Sequence, residues 1–166
     1  TPLFARYIKK KLKKKNLICV SPDVGGVQRT RGLATKIAAD LAIIDKRRPA
    51  PGKSRVMNII GDVKGKTCII VDDIIDSGGT IVNAVDALKK SGAEDVYVFT
   101  THGVLSGEAV KKIQASKIKK LIITDSIDNS KKIKNHSKIE VLSISNLMAE
   151  AIKRISNSTS VSDLFN

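Results

Sequence analysis

Three carboxylates and a run of small residues follow a short apolar segment near the middle of the chain. Residues 68–71 are apolar without interruption, which is the pattern of a strand buried on both faces of a parallel sheet. Asp72, Asp73 and Asp76 come next, and residues 77–80 then read Ser-Gly-Gly-Thr before a helical apolar periodicity begins. This order of strand, acidic and glycine-rich turn, and helix predicts carboxylates beside free backbone amides.

The composition of this turn is that of a phosphate site. Its two glycines let the backbone approach an anion closely, the first amides of the helix attract it, and the hydroxyls of Ser77 and Thr80 add donors. Carboxylates would repel the same phosphate, so Asp72 and Asp73 must address sugar hydroxyls or a bridging divalent cation. A ligand that carries both a phosphate and a vicinal diol is a ribose phosphate. The plainer alternative is an Asx turn that caps a helix. The two further acids favour a binding site, because open α/β sheets bind ligands at the carboxyl ends of their strands.

A second strand-to-helix turn carries Asp23. Residues 17–20 predict a buried strand, and residues 21–26 read Ser-Pro-Asp-Val-Gly-Gly. The helix that follows is predicted to present an apolar face made of Ala34, Ile37, Ala38 and Leu41. Parallel strands end at one edge of a sheet, so Asp23 should lie near Asp72. There it could hold a hard cation beside a phosphate, or it could cap the helix.

A cationic segment separates two further predicted strands, at 41–45 and 56–60. Residues 46–55 contain five cations and no acid, and they begin Lys-Arg-Arg-Pro. A segment this short and this rich in proline and glycine cannot form a crossover helix, so the two strands should pair antiparallel. We interpret the segment as a lid that closes over phosphates; a merely solvated loop is the alternative.

The composition indicates one α/β domain over residues 1–166. The chain is 42% hydrophobic and carries a net charge of +14, which implies anionic partners. Aromatic residues make up only 3%, which leaves little material for stacking on bases, so we expect phosphorylated small molecules rather than nucleic acid. Cys19 and Cys68 lie inside apolar runs, as buried thiols of a reducing compartment do. With no apolar run of membrane-spanning length, we expect a cytoplasmic protein without a membrane partner.

The rest of the chain continues the alternation of strands and helices. Strands are predicted at 96–100, 121–124 and 139–142, with a helix from about 107 to 115. The last helix is predicted to have an apolar face formed by Met148, Ala151, Ile152 and Ile155. His102 follows a strand, but no second histidine or cysteine nearby completes a metal set, so we interpret it as structural.

Taken together, these motifs resemble the ribose-phosphate pyrophosphokinases, also called phosphoribosyl pyrophosphate synthetases. The likeness runs over nearly the whole chain, and its motifs lie at 20–26, 43–49, 71–80 and 160–165. The acidic glycine turn alone is similar to any type I phosphoribosyltransferase fold, whereas the Lys-Arg-Arg-Pro arm is more specific. The resemblance implies a mostly parallel twisted sheet with helices on both faces and an antiparallel hairpin that carries a flexible loop.

The resemblance also implies an activity. Family enzymes use Mg²⁺ to move the pyrophosphoryl group of ATP to the 1-hydroxyl of ribose 5-phosphate, giving phosphoribosyl pyrophosphate and AMP. By that likeness, Asp72 and Asp73 address the ribose diol and Asp23 ligates magnesium. Lys46 and Arg48 meet the transferring phosphates, and Arg48 also binds substrate. The 5-phosphate would be held by Asp76, Ser77, Gly78, Gly79 and Thr80.

The chain departs from the family in three respects. It resembles only the second of two similar domains, so most ATP-binding residues and a magnesium-binding histidine of the family lie outside it. Ser77 stands where threonine is usual, and Asp163 stands where many members have tyrosine, near a terminus used for allosteric control. We expect an incomplete enzyme as an isolated chain and, from the family, a homo-oligomer that is a hexamer. A single-domain phosphoribosyltransferase and a non-catalytic ligand-sensing relative remain alternatives, and Lys46 and Arg48 argue against the second.

Overall fold

One seven-stranded sheet organises the protein. The computed structural model describes residues 1–12, 15–47 and 56–165. In chain order the elements are α1 (Pro2–Tyr7) with a π-helical turn (Ile8–Leu12), β1 (Leu17–Ser21), α2 (Val27–Ile37), β2 (Asp40–Arg47), β3 (Val56–Ile60), β4 (Thr67–Ile75), α3 (Gly79–Lys90), β5 (Asp95–Gly103), α4 (Ala109–Ala115), β6 (Lys120–Thr124), α5 (Ser130–Ile133), β7 (Ile139–Leu142), α6 (Ser145–Ser156) and a 3-10 turn (Ser162–Leu164).

The strand order is β3-β2-β1-β4-β5-β6-β7. Strands β1, β2, β4, β5, β6 and β7 pair in parallel, and β2 and β3 form an antiparallel pair. The predicted parallel sheet with an antiparallel hairpin is therefore confirmed. Within the ranges that the structure describes, no helix combines the length and the apolar character that crossing a bilayer requires.

Helices cover both faces of the sheet, as the unbroken apolar strands predict. Cys68 and Ile70 of β4 belong to a core beneath α3 and α4, whereas Ile69 and Val71 belong to a second core beneath α1 and α2. The side chains of Ile69 and Ile70 are fully buried. Burial of a side chain of this size stabilises the fold by about 1.5–3 kcal/mol, so the central strand is fixed from both sides.

Strand β4 is longer than predicted and is irregular where it carries its acids. It runs to Ile75, so Asp72 and Asp73 lie within the strand rather than in the turn after it. Ile70 and Ile75 pack in the same core, although a regular strand would place residues five positions apart on opposite faces. The alternation therefore changes phase between them, and this change leaves Asp73 and Ile74 exposed at the edge of the sheet.

The prediction for the second helix was wrong at the C-terminal end, where Ala38 and Leu41 were included in its apolar face. Helix α2 stops at Ile37, and Ala38 adopts a left-handed conformation with φ of 52°. The amide of Ala39 then donates to the Ala34 carbonyl over 3.0 Å, which closes the helix end. Leu41 consequently belongs to β2 rather than to the helix.

The last predicted helix is present as α6, but its apolar face is not buried within the described chain. Met148, Ile152 and Ile155 are 50%, 62% and 67% exposed. Beyond this helix, Arg154 fixes the tail: its Nη1 donates to the Ser160 carbonyl over 2.8 Å and lies 3.8 Å from Asp163 Oδ2. The tail is therefore folded back on α6 by polar contacts.

Candidate active site

Two neighbouring carboxylates at the carboxyl end of β4 are bridged by one guanidinium. Arg29, which α2 carries, donates from Nη1 to Asp72 Oδ1 and from Nη2 to Asp73 Oδ2, each over 3.0 Å. Sequence periodicity gave no sign of Arg29, because its partners lie more than 40 positions further along the chain. The parallel pairing of β1 with β4 brings the start of α2 to the same edge as these acids.

The two carboxylates differ in their affinity for protons. Partial burial raises the pKa of Asp72, and the adjacent charge of Asp73 adds to this effect, although Arg29 opposes it. Burial also acts on Asp73, but its hydrogen bond with Asp72 and the Arg29 charge outweigh burial and hold the pKa of Asp73 below its usual range. Asp73 therefore carries the more persistent negative charge, and it is also the more exposed of the two.

The turn after β4 presents backbone amides that no described residue uses. Gly78 has φ of 77°, a left-handed conformation that favours glycine, and it directly precedes the 12-residue helix α3. None of the amides of residues 77–80 donates a hydrogen bond to any residue that the structure describes. Together with the positive end of the α3 dipole, these amides could bind an anion.

The loop of residues 104–106 is hydrogen-bonded to the backbone where β4 ends and the turn begins. The carbonyl of Ile75 accepts hydrogen bonds from the amides of Val104 at 3.0 Å and Leu105 at 3.2 Å. The carbonyl of Asp76 accepts one from the amide of Ser106 at 3.2 Å. These three hydrogen bonds fix the backbone just before the glycine-rich turn.

Thr80 is among the residues that line two cavities. The smaller, of about 220 Å³, is lined by Asp72, Ile74, Ile75, Asp76, Ser77, Gly78, Thr80 and Ile81. The larger, of about 600 Å³, is lined by Lys46, Met57, Thr80, Asn83, Asp86, Ala87, Lys90 and Ser91. Lys46 of the hairpin and Thr80 at the start of α3 therefore border the same larger cavity.

The position of Lys46 differs from the prediction. Lys46 was expected in the loop, but β2 continues to Arg47 and pairs Lys46 with Met57 of β3. Lys46 is therefore held by strand pairing at the base of the hairpin. Arg48 and the remainder of the predicted lid, residues 48–55, lie outside the described residues.

Asp23 occupies the turn between β1 and α2. Its Oδ1 accepts a hydrogen bond from the Gly26 amide over 2.9 Å, and its carbonyl accepts one from Ser21 Oγ over 2.6 Å. A side chain at Gly26 would place its Cβ 2.9 Å from Ser21 Oγ, so this turn requires glycine. The second carboxylate oxygen of Asp23 has no hydrogen-bond partner among the described residues.

The described side chains do not form a complete metal site. Within 1–12, 15–47 and 56–165, no three histidine, cysteine or acidic side chains converge in a metal-binding arrangement. A cation at Asp23 would therefore need most of its ligands from bound phosphates and water. Mg²⁺ is commonly held in this way, by one or two carboxylates with substrate oxygens.

Comparison with known proteins points to one family. A family model described as "phosphoribosyl synthetase-associated domain" matches residues 49–166. Proteins named ribose-phosphate pyrophosphokinase from Bradyrhizobium diazoefficiens and Brucella melitensis are each 55% identical over 99% of this chain, which covers 52% and 53% of their lengths. The chain therefore spans about half the length of the curated relatives that it matches.

Solved structures agree with this relationship. The crystal structure of phosphoribosylpyrophosphate synthetase from Mycobacterium smegmatis matches with a TM-score of 0.85 and 36% identity, covering 94% of this chain and 50% of that one. A purine phosphoribosyltransferase from Pyrococcus horikoshii matches with a TM-score of 0.50 and 27% identity, covering 63% of this chain and 73% of that one. The resemblance found in the sequence and the predicted fold are both confirmed. This chain belongs to the phosphoribosyl synthetase-associated domain family.

Proposed function

We propose that this chain is the ribose 5-phosphate-binding half of a ribose-phosphate pyrophosphokinase. The complete enzyme would transfer the pyrophosphoryl group of ATP to the 1-hydroxyl of ribose 5-phosphate, giving phosphoribosyl pyrophosphate and AMP. One observation carries the proposal: the four amides of residues 77–80, which donate to no residue that the structure describes, follow within a few positions the adjacent carboxylates of Asp72 and Asp73. A phosphate and a diol on the same small molecule match this pair of features.

The two ends of the sugar phosphate would be held differently. The 5-phosphate would take the amides of residues 77–80 and the hydroxyls of Ser77 and Thr80, with Gly78 and Gly79 giving it access to the backbone. The diol would donate to Asp72 and Asp73, because ionised carboxylates are strong acceptors. Asp76 lines the same cavity and would order the turn beside the phosphate.

Pyrophosphoryl transfer requires that charge on the transferring group be neutralised. Lys46 lines the larger cavity, which shares Thr80 with the cavity of the proposed sugar site, so its ammonium would be available to these phosphates. Phosphoryl transfer depends mainly on positioning and electrostatic stabilisation, which a fixed cation supplies. Arg48 remains a prediction for the same role.

Magnesium would be held at Asp23. The Asp23 carboxylate oxygen that has no partner among the described residues is a hard ligand of the kind that Mg²⁺ prefers, and the side chain is exposed to an incoming metal and nucleotide complex. When bound, Mg²⁺ would neutralise phosphate oxygens and align them for transfer. Asp23 itself would orient the ion, while its Oδ1 stays fixed by the Gly26 amide.

Several features of the complete protein stay predictions. ATP would be bound mainly by the half that this chain does not include, so the chain alone should bind sugar phosphate but turn over little. A hexameric homo-oligomer follows from the family resemblance. The two free, buried thiols, Cys19 and Cys68, support the predicted cytoplasmic location.

Calorimetry tests the proposal directly. The chain should bind ribose 5-phosphate and phosphoribosyl pyrophosphate in the presence of Mg²⁺, and it should bind ribose without a phosphate far more weakly. No binding of either phosphorylated ligand would contradict the proposal. Release of pyrophosphate from phosphoribosyl pyrophosphate only when a nucleobase is added would instead indicate a phosphoribosyltransferase.

A further inference from the structure

The acid pair of β4, Asp72 and Asp73, converges on a single guanidinium. Arg29 donates from Nη1 to Asp72 Oδ1 and from Nη2 to Asp73 Oδ2, each over 3.0 Å, so one oxygen of each carboxylate is directed to the same group. The two carboxyl groups also lie within hydrogen-bonding reach of each other, which contributes to the opposite pKa shifts of the pair. Carboxylate oxygens that converge on one point are the ligands that divalent cations prefer.

The guanidinium engages oxygens that such a cation would need. Asp72 Oδ1 accepts a second hydrogen bond, from the Asp73 amide over 2.9 Å, so both lone pairs of this oxygen are used within the chain. Because the donors of a guanidinium are fixed in one plane, Arg29 also sets the spacing of the two carboxylates. Asp72 Oδ2 accepts no hydrogen bond from any residue that the structure describes, and Asp72 lines the small cavity beside the glycine-rich turn.

Two acidic positions at this edge of the sheet could attract a metal ion. Strands β1 and β4 pair in parallel with Val20 opposite Ile70, so Asp23 and the acid pair follow neighbouring strands. Asp23 has a carboxylate oxygen without a partner among the described residues, whereas the acid pair already holds the Arg29 cation. Like charges repel, so a divalent ion at the acid pair would have to displace Arg29 or remain beside it.

A sugar diol makes different demands on the same carboxylates. Each hydroxyl needs one free lone pair of an ionised carboxylate, whereas a cation needs several oxygens that converge on it. Arg29 leaves Asp72 Oδ2 open, and its charge favours the ionised form of both acids. The pair as it stands therefore suits a hydrogen-bond donor better than a metal ion.

We propose that Arg29 keeps divalent cations out of the acid pair, so that Asp72 and Asp73 bind the sugar diol directly and not through a metal ion. This inference rests on the proposed function, in which the diol donates to these carboxylates. Arg29 is a positioning residue, because it acts on the sugar through the two acids. Its charge also leaves Asp23 as the position at which Mg²⁺ would bind.

Titration with Mn²⁺ alone tests the exclusion without any sugar. Arg29→Met and Arg29→Gln both remove the charge, and electron paramagnetic resonance measures the Mn²⁺ that stays free. We expect both variants to bind Mn²⁺ at least about tenfold more tightly than wild type, and we expect Asp73→Asn to abolish this gain when combined with either.

Arg31→Met is the matched control for the loss of one positive charge. Arg31 is two positions further along α2, so it points to another side of the helix from Arg29. We expect Arg31→Met to bind Mn²⁺ within about threefold of wild type, because salt screens exposed charges that are not in contact.

Calorimetry with ribose 5-phosphate tests the effect on the sugar. The affinity of wild type in EDTA and in Mn²⁺ should agree within about threefold, because the diol meets the carboxylates directly. In Arg29→Met the two acids repel each other and attract the ion. We therefore expect its affinity for ribose 5-phosphate to be at least about tenfold higher in Mn²⁺ than in EDTA.

The two measurements separate the possible failures. The exclusion would be overturned by wild-type Mn²⁺ affinity in both neutral variants, by an equal gain in Arg31→Met, or by a gain that survives Asp73→Asn. Direct binding of the diol would be overturned if Mn²⁺ raised the ribose 5-phosphate affinity of wild type as much as that of Arg29→Met. If wild type bound no ribose 5-phosphate at all, the proposed function would fail, whereas the Mn²⁺ titration would still decide whether Arg29 excludes the cation.

Discussion

The Nη1 atom of Arg29 lies 3.0 Å from Oδ1 of Asp72, so a residue of α2 neutralises a carboxylate of the central strand. The second nitrogen of the same guanidinium reaches Asp73 at the same distance. A positive charge shared between two adjacent acids allows both to remain at the edge of the sheet without strong mutual repulsion.

Removal of this charge should raise both carboxyl pKa values. Arg29→Ala takes away the cation that favours the ionised forms, so we expect the pKa of Asp72 and that of Asp73 to rise in an NMR titration of their carboxyl carbons. The pair is partly solvated, so the free energy of unfolding should change by no more than about 1 kcal/mol. Arg31→Ala, on the same helix, is the control, and unchanged pKa values in Arg29→Ala would contradict the assignment.

The two glycines of the turn between β4 and α3 should respond differently to substitution by alanine. Gly78 has φ of 77°, so Gly78→Ala should lower the free energy of unfolding by about 1–2 kcal/mol. Gly79 has open space where a Cβ would lie, so Gly79→Ala should leave stability unchanged or slightly higher. The methyl group of Gly79→Ala would lie where the phosphate reaches the amides of residues 77–80, so we expect this variant to bind ribose 5-phosphate about tenfold more weakly. Urea denaturation would measure the stability of both variants, and calorimetry would measure their affinity for ribose 5-phosphate. Equal losses of stability in Gly78→Ala and Gly79→Ala would contradict this prediction.

Lys46→Ala should separate catalysis from folding. In the full-length protein we expect kcat to fall by about 10²–10³-fold, because a cation beside the transferring phosphates is lost. Lys90→Ala is the matched control, since Lys90 lines the same cavity as Lys46. Lys90 is ten residues after Thr80 on α3, which places it about 15 Å from Thr80 along the helix axis. Near-normal turnover in Lys46→Ala, or an equal loss in Lys90→Ala, would remove Lys46 from the mechanism.

Stability should fall in acid through Glu140. Burial works against ionisation of Glu140, but hydrogen bonds from Lys120 at 2.8 Å and Tyr7 at 2.9 Å hold its pKa below the ordinary 4.5. A lowered folded-state pKa contributes stability above pH 4.5, and this contribution is lost as the pH falls through the folded-state value. In urea denaturation at pH 7, we expect the free energy of unfolding of wild type to exceed that of Glu140→Gln by about 1 kcal/mol. This difference should vanish in acid, where Glu140 is protonated. A difference that does not change with pH would count against this account.

Local patterns were sufficient to predict the sheet and the glycine-rich turn between β4 and α3. Unbroken apolar runs, a short linker that cannot cross over and the Ser-Gly-Gly-Thr segment each act within about ten residues. The end of α2 was missed because Ala38 enters the left-handed region without glycine or proline to mark it. The assignment of Lys46 to the loop failed because pairing with β3 extends β2 beyond its apolar segment.

The features of the candidate site that the sequence did not reveal depend on contacts between residues far apart in the chain. Arg29 acquires its role only when the sheet places α2 beside the end of β4, and no spacing along the chain encodes that meeting. Single residues could be recognised from the sequence, but their partners required the fold.

The loop that bonds the carbonyls of Ile75 and Asp76 has a thermodynamic consequence. The turn is set in shape as the chain folds, so the entropy of ordering it is lost then and not when the ligand arrives. A phosphate bound there as proposed would meet an ordered turn and retain more of its interaction energy as affinity. Residues 104–106 would thereby govern how tightly a ligand is held without touching it.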